Sequence, residues 1–557
     1  MFGSRKSGIL LSGVQAVCRG EQVIVSRVIA TRFIGFIIVT LFGICEAWNL
    51  RFIQDDAYIS WRYADNLASG LGLVWNQGER VEGYTNFLWT VILAVPHAVG
   101  LDVEMFAFAL GITLFTGTLA IFYWLVGTLM RSWFVAAVAT LILALFPSFA
   151  AYATGGLETG LQTFLLTATA APILSAIRRN RPSALASVTI GTTAALAILT
   201  RMDSVIIAAP LISIYVGVFI APPGWHKRAA LAPAILVPTV ICGGWLAWKL
   251  AYYGALLPNS YRVKVEGASG LVREGVRYVR TFVEAYAFYL PIACIPIGAW
   301  LTWERRLDWR VAAVLGLPQL LWLAYVVRVG GDFMEYRFFV PILPLAFLAT
   351  YWVMGALDTR PARVALLTTI VLAGGMLAYS SPRVPKPVGS PLPLEQLEVP
   401  HDHEWFEIGS VLGQAFAHGV RPRIAVVPSG VIPYRSRLPS VDMLGLNDPE
   451  VEQFIHIPDQ LIGHRYLAPL RLLERRHVHF LIGHPMVRER PAPNQRVRFS
   501  EFARRAFAYA DEYRLKGRQV IELPLSRERV MLMLYLTEDP AVTTRLDELG
   551  WRHYPLE

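Results

Sequence analysis

Asp55 and Asp56 are adjacent carboxylates placed directly after an apolar run that ends near Leu50. Two acids at the end of a membrane-length run are costly beside hydrocarbon, so they call for a cation, a water-filled cavity or a chemical task. A carboxylate held there could take the proton from an attacking hydroxyl while its neighbour steadies a polyhydroxylated ligand. A solvated loop that begins with two acids is the plain alternative. Their company argues against it: Glu82, Glu158, Asp203 and Asp332 also fall at ends of apolar runs on the same expected face, beside Arg62, Arg201, Arg328 and Arg337. Opposed charges gathered at one depth predict a shared polar cavity, with Arg201 and Asp203 the pair that reads best as purely structural.

Two further segments share that face. Asn259, Tyr261, Arg262 and Lys264 open a long polar stretch, and a phosphate diester at a membrane surface needs such cations with hydroxyl and amide neighbours. Gly330 and Gly331 precede Asp332 and Arg337, and a double glycine lets backbone turn sharply or approach a ligand closely. Arg62, Tyr63, Glu82, Tyr84 and Glu158 complete the candidate binding set, with Asp55 and Asp56 as the candidate catalytic pair. His401, Asp402, His403, His477 and His479 lack a second pair at ligand spacing and read as ordinary loop and strand residues, so no metal site is assigned.

The elements that must position these residues are membrane helices. The chain has 557 residues, 55% apolar and 17% charged, with a mean hydropathy of +0.45, outside the range of soluble domains. Its net charge of +10 falls on the apolar part rather than on the C-terminal segment, which argues for topology and against nucleic-acid binding. Basic residues collect in short breaks, at Arg178, Arg179 and Arg181, at His226, Lys227 and Arg228, at Arg305, Arg306 and Arg310, and at Arg360 and Arg363. Cytoplasmic loops carry that excess.

The first run, Phe33 to Leu50, reads as an uncleaved signal anchor behind a cytoplasmic head, residues 1–30. Later runs begin near Met105, Trp133, Leu157, Ala184, Ser204, Ala229, Phe282, Val311, Phe338 and Val364, giving about eleven spans. Phe87 to Gly100 is short for a span and reads as re-entrant or interfacial. With that segment not crossing, every arginine-rich break falls inside, and the acids fall outside with everything after Ser380.

Pro382, Pro385, Pro387, Pro391 and Pro393 form a stiff connector between a membrane part, residues 31–380, and a C-terminal part, residues 381–557. In the latter, strand-like runs at Ile424 to Val427, Val478 to Ile482, Val520 to Leu523 and Val530 to Leu536 alternate with helical stretches at Val451 to Leu461 and Phe502 to Tyr513. That pattern predicts an extracytoplasmic α/β domain.

The block Asp55 to Ala64, followed by Gly72-Leu-Val-Trp-Asn76 and Glu79-Arg-Val-Glu-Gly-Tyr-Thr-Asn86, resembles the polyprenyl-phosphate-sugar-dependent glycosyltransferases of the GT-C fold. It is most similar to the terminal β-(1→2)-arabinofuranosyltransferases of mycobacterial-type cell-wall synthesis. Gly155 to Thr159, Gly330 to Phe338 and Asp442 to Asp448 look like later blocks of the same group. Met202 stands where many relatives have proline, and the C-terminal part is shorter than in the mycobacterial enzymes.

The resemblance implies a membrane-embedded all-α catalytic domain and a donor such as decaprenyl-phosphoryl-arabinose. The acceptor it implies is a cell-envelope glycan outside the cytoplasmic membrane, read by the C-terminal domain. It also implies catalysis at Asp55 and Asp56, a β product and, from a β donor, retention. No cofactor is required on this reading, and a divalent cation held by the acids stays open, as does the choice of aspartate. Another polyprenyl-linked sugar is the alternative donor. A lipid-linked sugar transporter is the alternative activity, although the paired half-repeats it would need are not found.

Overall fold

Polar caps set where many of the helices begin. The computed structural model describes residues 32–220, 225–265, 270–358, 360–380, 390–399, 403–457, 464–492, 495–498, 515 and 517–557. Residues 1–30, Pro382, Pro385, Pro387, His401, Asp402 and the stretch Phe502 to Tyr513 lie outside the described residues. Helix α1 (Arg32–Asn49) is the apolar run before the acids. In α2 (Asp55–Ala68) the Gln54 side chain accepts the Asp56 N–H at 2.8 Å, and the two acids occupy the first turn, where the helix dipole favours negative charge. After α3 (Phe87–Val99), which closes on the left-handed Gly100, Asp102 caps α4 (Val103–Leu129) and Ser132 caps α5 (Trp133–Ala144).

The short α6 (Pro147–Ala151) leads to α7 (Thr159–Arg179), and Ser183 caps α8 (Ala184–Thr200). Then come α9 (Val205–Ile220), α10 (Trp225–Tyr253), α11 (Asn259–Val265), α12 (Leu271–Ala285), α13 (Tyr289–Trp303) and α14 (Trp309–Val329). A 3-10 turn at Arg337–Ile342 starts α15 (Leu343–Leu357), and α16 (Pro361–Ser380) ends the bundle.

Seven helical stretches among the described residues are long and apolar enough to cross a membrane, with α12 and α13 together a possible eighth. The sequence expectation of about eleven spans is thereby reduced to seven or eight among the described residues. The run beginning at Trp133 is cut at Phe146 because Pro147 opens a new helix, and α8, at 17 residues, is among the shorter apolar helices. The run from Phe282 to Trp303 bends by 105° between α12 and α13, where Ala287 takes a left-handed φ of 46°. Phe87–Val99 is among the shorter apolar helices, matching the short run read from the sequence.

Beyond the bundle, α17 (Leu394–Leu397) and α18 (Glu404–Ala415) lead into a six-stranded mixed sheet of order β2-β1-β5-β7-β6-β8. Its strands are β1 (Ile424–Val426) and β2 (Ser440–Asp442), then β5 (Phe480–Glu489), β6 (Gln519–Pro524), β7 (Arg529–Tyr535) and β8 (His553–Pro555). Strand β1 is parallel to β2 and β5, and the other pairings are antiparallel. Successive residues feed opposite cores: Leu532 and Leu534 face one, Met531, Met533 and Tyr535 the other, so both faces of the sheet are buried. Short helices α19 (Val431–Ser436), α20 (Leu470–Arg475) and α21 (Pro540–Glu548) flank it.

The helix expected over Val451 to Leu461 is instead a 3-10 turn at Val451–Gln453 followed by β3 (Ile455–His456), which pairs with β4 (Tyr466–Leu467). Cross-strand pairing there wins over helical periodicity. Nor are His477 and His479 neighbours along a strand: His477 has a left-handed φ of 49° in the turn before β5, and His479 Nδ1 accepts the Arg423 N–H at 3.0 Å.

The sheet-bearing part docks on the bundle through α2. Both oxygens of Asp55 accept backbone N–H groups at the start of α19, Gly430 at 3.0 Å and Val431 at 2.8 Å. The connector returns along the bundle as well, with Leu392 N donating to Phe333 O and Val399 N to Ile53 O, each at 2.8 Å.

Candidate active site

One end of the bundle is hollow. A cavity of about 380 Å³ lies between the start of α2, the Gly83–Asn86 segment, the start of α7, the α8–α9 break, α11 and the junction of α14 with the 3-10 turn. It gathers Asp56, Tyr84, Glu158, Tyr261, Lys264, Asp332 and Arg337 from the sequence-derived set. The shared polar cavity expected from charges at helix ends is therefore present, although not every expected residue reaches it.

Its walls are held by ion pairs. Arg201 donates to Glu158 at 2.7 Å and to Asp203 at 2.7 Å, and Asn86 Nδ2 donates to Glu158 at 2.8 Å. Burial alone would raise the Glu158 carboxyl, but the guanidiniums of Arg201 and Arg337 outweigh it and hold it below the usual range. Arg201 and Asp203 thus do more than join two helices: both line the cavity, and Arg201 helps to hold Glu158 charged. Arg337 pairs with Asp332 at 2.6 Å. Gly331 is required there, since a Cβ on it would sit 2.4 Å from the Tyr278 ring and its φ is +79°.

Against these pairs stand polar side chains that make no hydrogen bond or ion pair among the described residues. The Asp56 carboxylate makes no hydrogen bond or ion pair among the described residues, and neither does the Lys264 ammonium. The buried Ser260 hydroxyl has no partner either. A free carboxylate, a free ammonium and a free hydroxyl facing one cavity can accept a proton, neutralise a phosphate and orient a sugar.

Six residues of the expected set do not line the cavity. Asp55 is engaged by α19, as described above. Arg62 donates to backbone carbonyls of Trp75, Pro433 and Leu438 and to Asn76, and Tyr63 bridges Val81 O and Gly83 N. Glu82 pairs with Lys249 at 2.7 Å, and Asn259 Nδ2 serves the carbonyls of Gly445, Leu446 and Asp448. Arg262 forms a surface pair with Glu452 at 2.6 Å. Of the six, Tyr63 and Asn259 hold cavity-lining residues directly, through the Gly83 N–H and the Leu446 carbonyl. Outside that set, Arg328, expected beside the acids, is exposed.

Ser60, Asn86, Ser260, Tyr325 and Leu446 line the cavity and were missed as site residues. Tyr325 is one turn inside α14 from Val329, so a lone hydroxyl near the end of an apolar run was its available signal. Leu446 arrives only because Asn259 and Gly83 seat the loop after β2; a Cβ on Gly83 would fall 1.9 Å from Asn447 Oδ1.

Asp55 also carries a pH prediction. Burial pushes its carboxyl up to about 7, with Asp56 adding to the rise and the two N–H donors opposing it. A carboxyl with a raised folded pKa contributes stability that is present below its unfolded pKa of 3.8 and lost as pH rises through about 7. Thermal melts of wild type should therefore fall more steeply between about pH 4 and 7 than those of Asp55→Asn, which has no titrating group at that position. Parallel slopes would contradict this.

The fold these helices define is GT-C, as the motifs implied. The structure of ArnT from Cupriavidus metallidurans in the apo state matches 90% of this chain and 98% of that one, with a TM-score of 0.51 at 14% identity. Among curated proteins, the terminal β-(1→2)-arabinofuranosyltransferase of Mycobacterium tuberculosis is 27% identical over 343 residues, 54% of this chain and 52% of that protein. The enzyme of the same name from Corynebacterium glutamicum is 27% identical over 351 residues, 57% of this chain and 49% of that one. The chain thus spans about half the length of these relatives. Residues 395–533 match a family described as a domain of unknown function, DUF8728.

Proposed function

We propose that this chain is a multi-pass membrane glycosyltransferase that moves D-arabinofuranose from a polyprenyl-phosphate donor to an extracytoplasmic cell-envelope glycan. The observation that carries the reading is the unpartnered Asp56 carboxylate sharing one cavity with the unpartnered Lys264 and with Arg337. Asp56 takes the acceptor hydroxyl proton as that oxygen bonds to the anomeric carbon. The bond from that carbon to the phosphate oxygen breaks, and Lys264 and Arg337 receive the charge on the departing polyprenyl phosphate. Glu158 and Asp332 keep the cationic wall in place, Ser260, Tyr84 and Tyr261 contact sugar hydroxyls, and Asp55 acts by fixing α2 rather than by touching substrate. A nucleotide is unnecessary, because the phosphate already activates the donor; a divalent cation, were one held by Asp56, would supply further neutralisation of the phosphate charge.

The arabinose assignment rests on the names of the two curated relatives and on the Asp55 to Asn86 motifs. The orientation rests on α7, α14 and α15: each has one end at the cavity, while Arg178, Arg179, Arg310 and Arg360 mark the other end. In this scheme the cavity and the sheet face the outside, residues 31–380 hold the catalytic centre, and residues 381–557 present the glycan. Lys264→Gln removes a cation without orphaning an acid, so it should weaken polyprenyl phosphate binding by about tenfold or more. Titration of the purified protein with the lipid checks this, and unchanged affinity would place the phosphate elsewhere.

A further inference from the structure

The bundle carries a second and larger hollow that this chemistry does not use. A groove of about 880 Å³ runs between α12, α13, α14 and α15, with an almost wholly apolar lining that includes Phe282, Phe288, Leu323, Phe339 and Trp352. Two of its polar side chains are satisfied within their own helices: Thr302 Oγ1 donates to Gly298 O at 2.7 Å, and Gln319 Nε2 donates to Leu315 O. Small residues hollow it out, since a Cβ added at Gly316 would meet nothing within 4 Å. The 105° bend between α12 and α13 separates the helices that a straight span would have kept packed.

The groove does not belong to the cavity. On α14, Trp309, Ala312, Gly316, Gln319 and Leu323 line the groove, whereas Tyr325 and Val329 line the cavity. At 3.6 residues per turn, Leu323 and Tyr325 point about 200° apart, so α14 stands as a wall between the two spaces. From Trp309 to Leu323 the groove extends about 21 Å along the helix, a large part of a bilayer core. Its far end, opposite the cavity, carries Trp300, Trp303 and Trp309, which are 53%, 85% and 61% exposed. Tryptophans in such positions mark the headgroup level.

Arg305 lines that end of the groove, is exposed, and has no hydrogen-bond or ion-pair partner among the described residues. Arg306 beside it spends one N–H on Ala356 O at 2.9 Å, and the nearby Asp308 is taken up by Arg310 at 2.7 Å. Glu304 is the one acid of this turn left without a described partner, and Arg305 with Arg306 outweighs it. An apolar channel of acyl-chain length that ends in tryptophans and an uncommitted guanidinium matches an amphiphile with a negative head.

We propose that this groove binds an anionic phospholipid of the leaflet opposite the catalytic cavity, its acyl chain against α14 and its phosphate on Arg305. The polyprenyl donor is a poor occupant, because its phosphate belongs at the other end of the bundle and α14 blocks the way between. A seated lipid would fill the space left by the bend and set the distance between α12 and α14, where Tyr278 of α12 packs against Gly331, a cavity-lining residue just past the end of α14.

The test is lipid retention by the full-length protein, extracted in detergent from membranes or nanodiscs of phosphatidylglycerol and phosphatidylcholine mixed in equal amounts, and read by native mass spectrometry. Wild type should retain phosphatidylglycerol about fivefold over phosphatidylcholine. Arg305→Gln should keep bound lipid but lose the preference, and Gly316→Phe should lose the lipid while still binding polyprenyl phosphate in the Lys264-dependent manner. That last readout shows that the variant is folded. Equal retention of the two lipids by wild type, or a preference that survives Arg305→Gln, would overturn the proposal. So would a groove that retains only polyprenyl phosphate and loses it in Gly316→Phe.

Discussion

Asp56→Asn is expected to lower sugar transfer by about 10²-fold or more while leaving donor affinity and thermal stability close to wild type. The asymmetry follows from what the side chain touches. Asp56 lines the cavity but makes no hydrogen bond or ion pair among the described residues, so the amide removes proton-accepting capacity without leaving any group unsatisfied. Asp55 is the reverse case: it does not line the cavity, and its two oxygens take the Gly430 and Val431 N–H groups. Asp55→Asn places an amide NH₂ against one of those donors, and Asp55→Ala leaves both unmatched. Each should reduce stability, and activity only as a consequence. Single-turnover transfer beside thermal melts separates the two aspartates. A stable, inactive Asp55 variant with a fully active Asp56→Asn would reverse the assignment.

Arg62→Met should destabilise the protein by about 3–5 kcal/mol, the largest structural effect expected of any single substitution here. The guanidinium is buried and makes four hydrogen bonds, to Trp75 O at 2.7 Å, Pro433 O at 2.6 Å, Leu438 O at 2.8 Å and Asn76 Oδ1 at 3.1 Å. It also lies over the Trp75 ring, 4.6 Å from the centroid. Two of these acceptors, the carbonyls of Pro433 and Leu438, belong to the sheet-bearing part, so the loss falls on the contact between α2 and the α19 region. Arg62→Lys should recover only part of it, because one ammonium cannot serve acceptors spread around a planar fork. The expected readouts are a lower melting temperature and faster proteolysis between residues 380 and 400. A melting temperature within experimental error of wild type would show that the two parts are held together by other contacts.

Much of this arrangement was legible in the sequence, and the rest was hidden for identifiable reasons. Charged residues at the ends of apolar runs located the cavity, because burial of Glu158, Asp332 and Arg337 makes sense only if they meet. The four strand-like runs from Ile424 onward all fell in the central sheet, where uninterrupted apolar stretches signal strands buried on both faces. Straight spans were overcounted because hydropathy does not register a break such as that at Ala287, where the residues stay apolar while the backbone turns.

The finer division of labour was not legible at all. Asp55 and Asp56 are neighbours of one type in one turn, and only the docking of α19, some 375 residues away in sequence, commits one and frees the other. Arg62 and Asn259 likewise looked like ligand-binding residues because polar side chains beside a membrane imply a task. Their task is to satisfy carbonyls of the C-terminal part, which have no sequence signature.

The central claim is that the cavity transfers a sugar from a lipid phosphate. It is tested most directly by offering the purified full-length protein radiolabelled decaprenyl-phosphoryl-arabinose together with an arabinan oligosaccharide. The account predicts label on the oligosaccharide, a β-linked product, and loss of that label in Asp56→Asn. Failure of wild type to transfer from this or any other polyprenyl-phosphate sugar, with the lipid still bound, would contradict it.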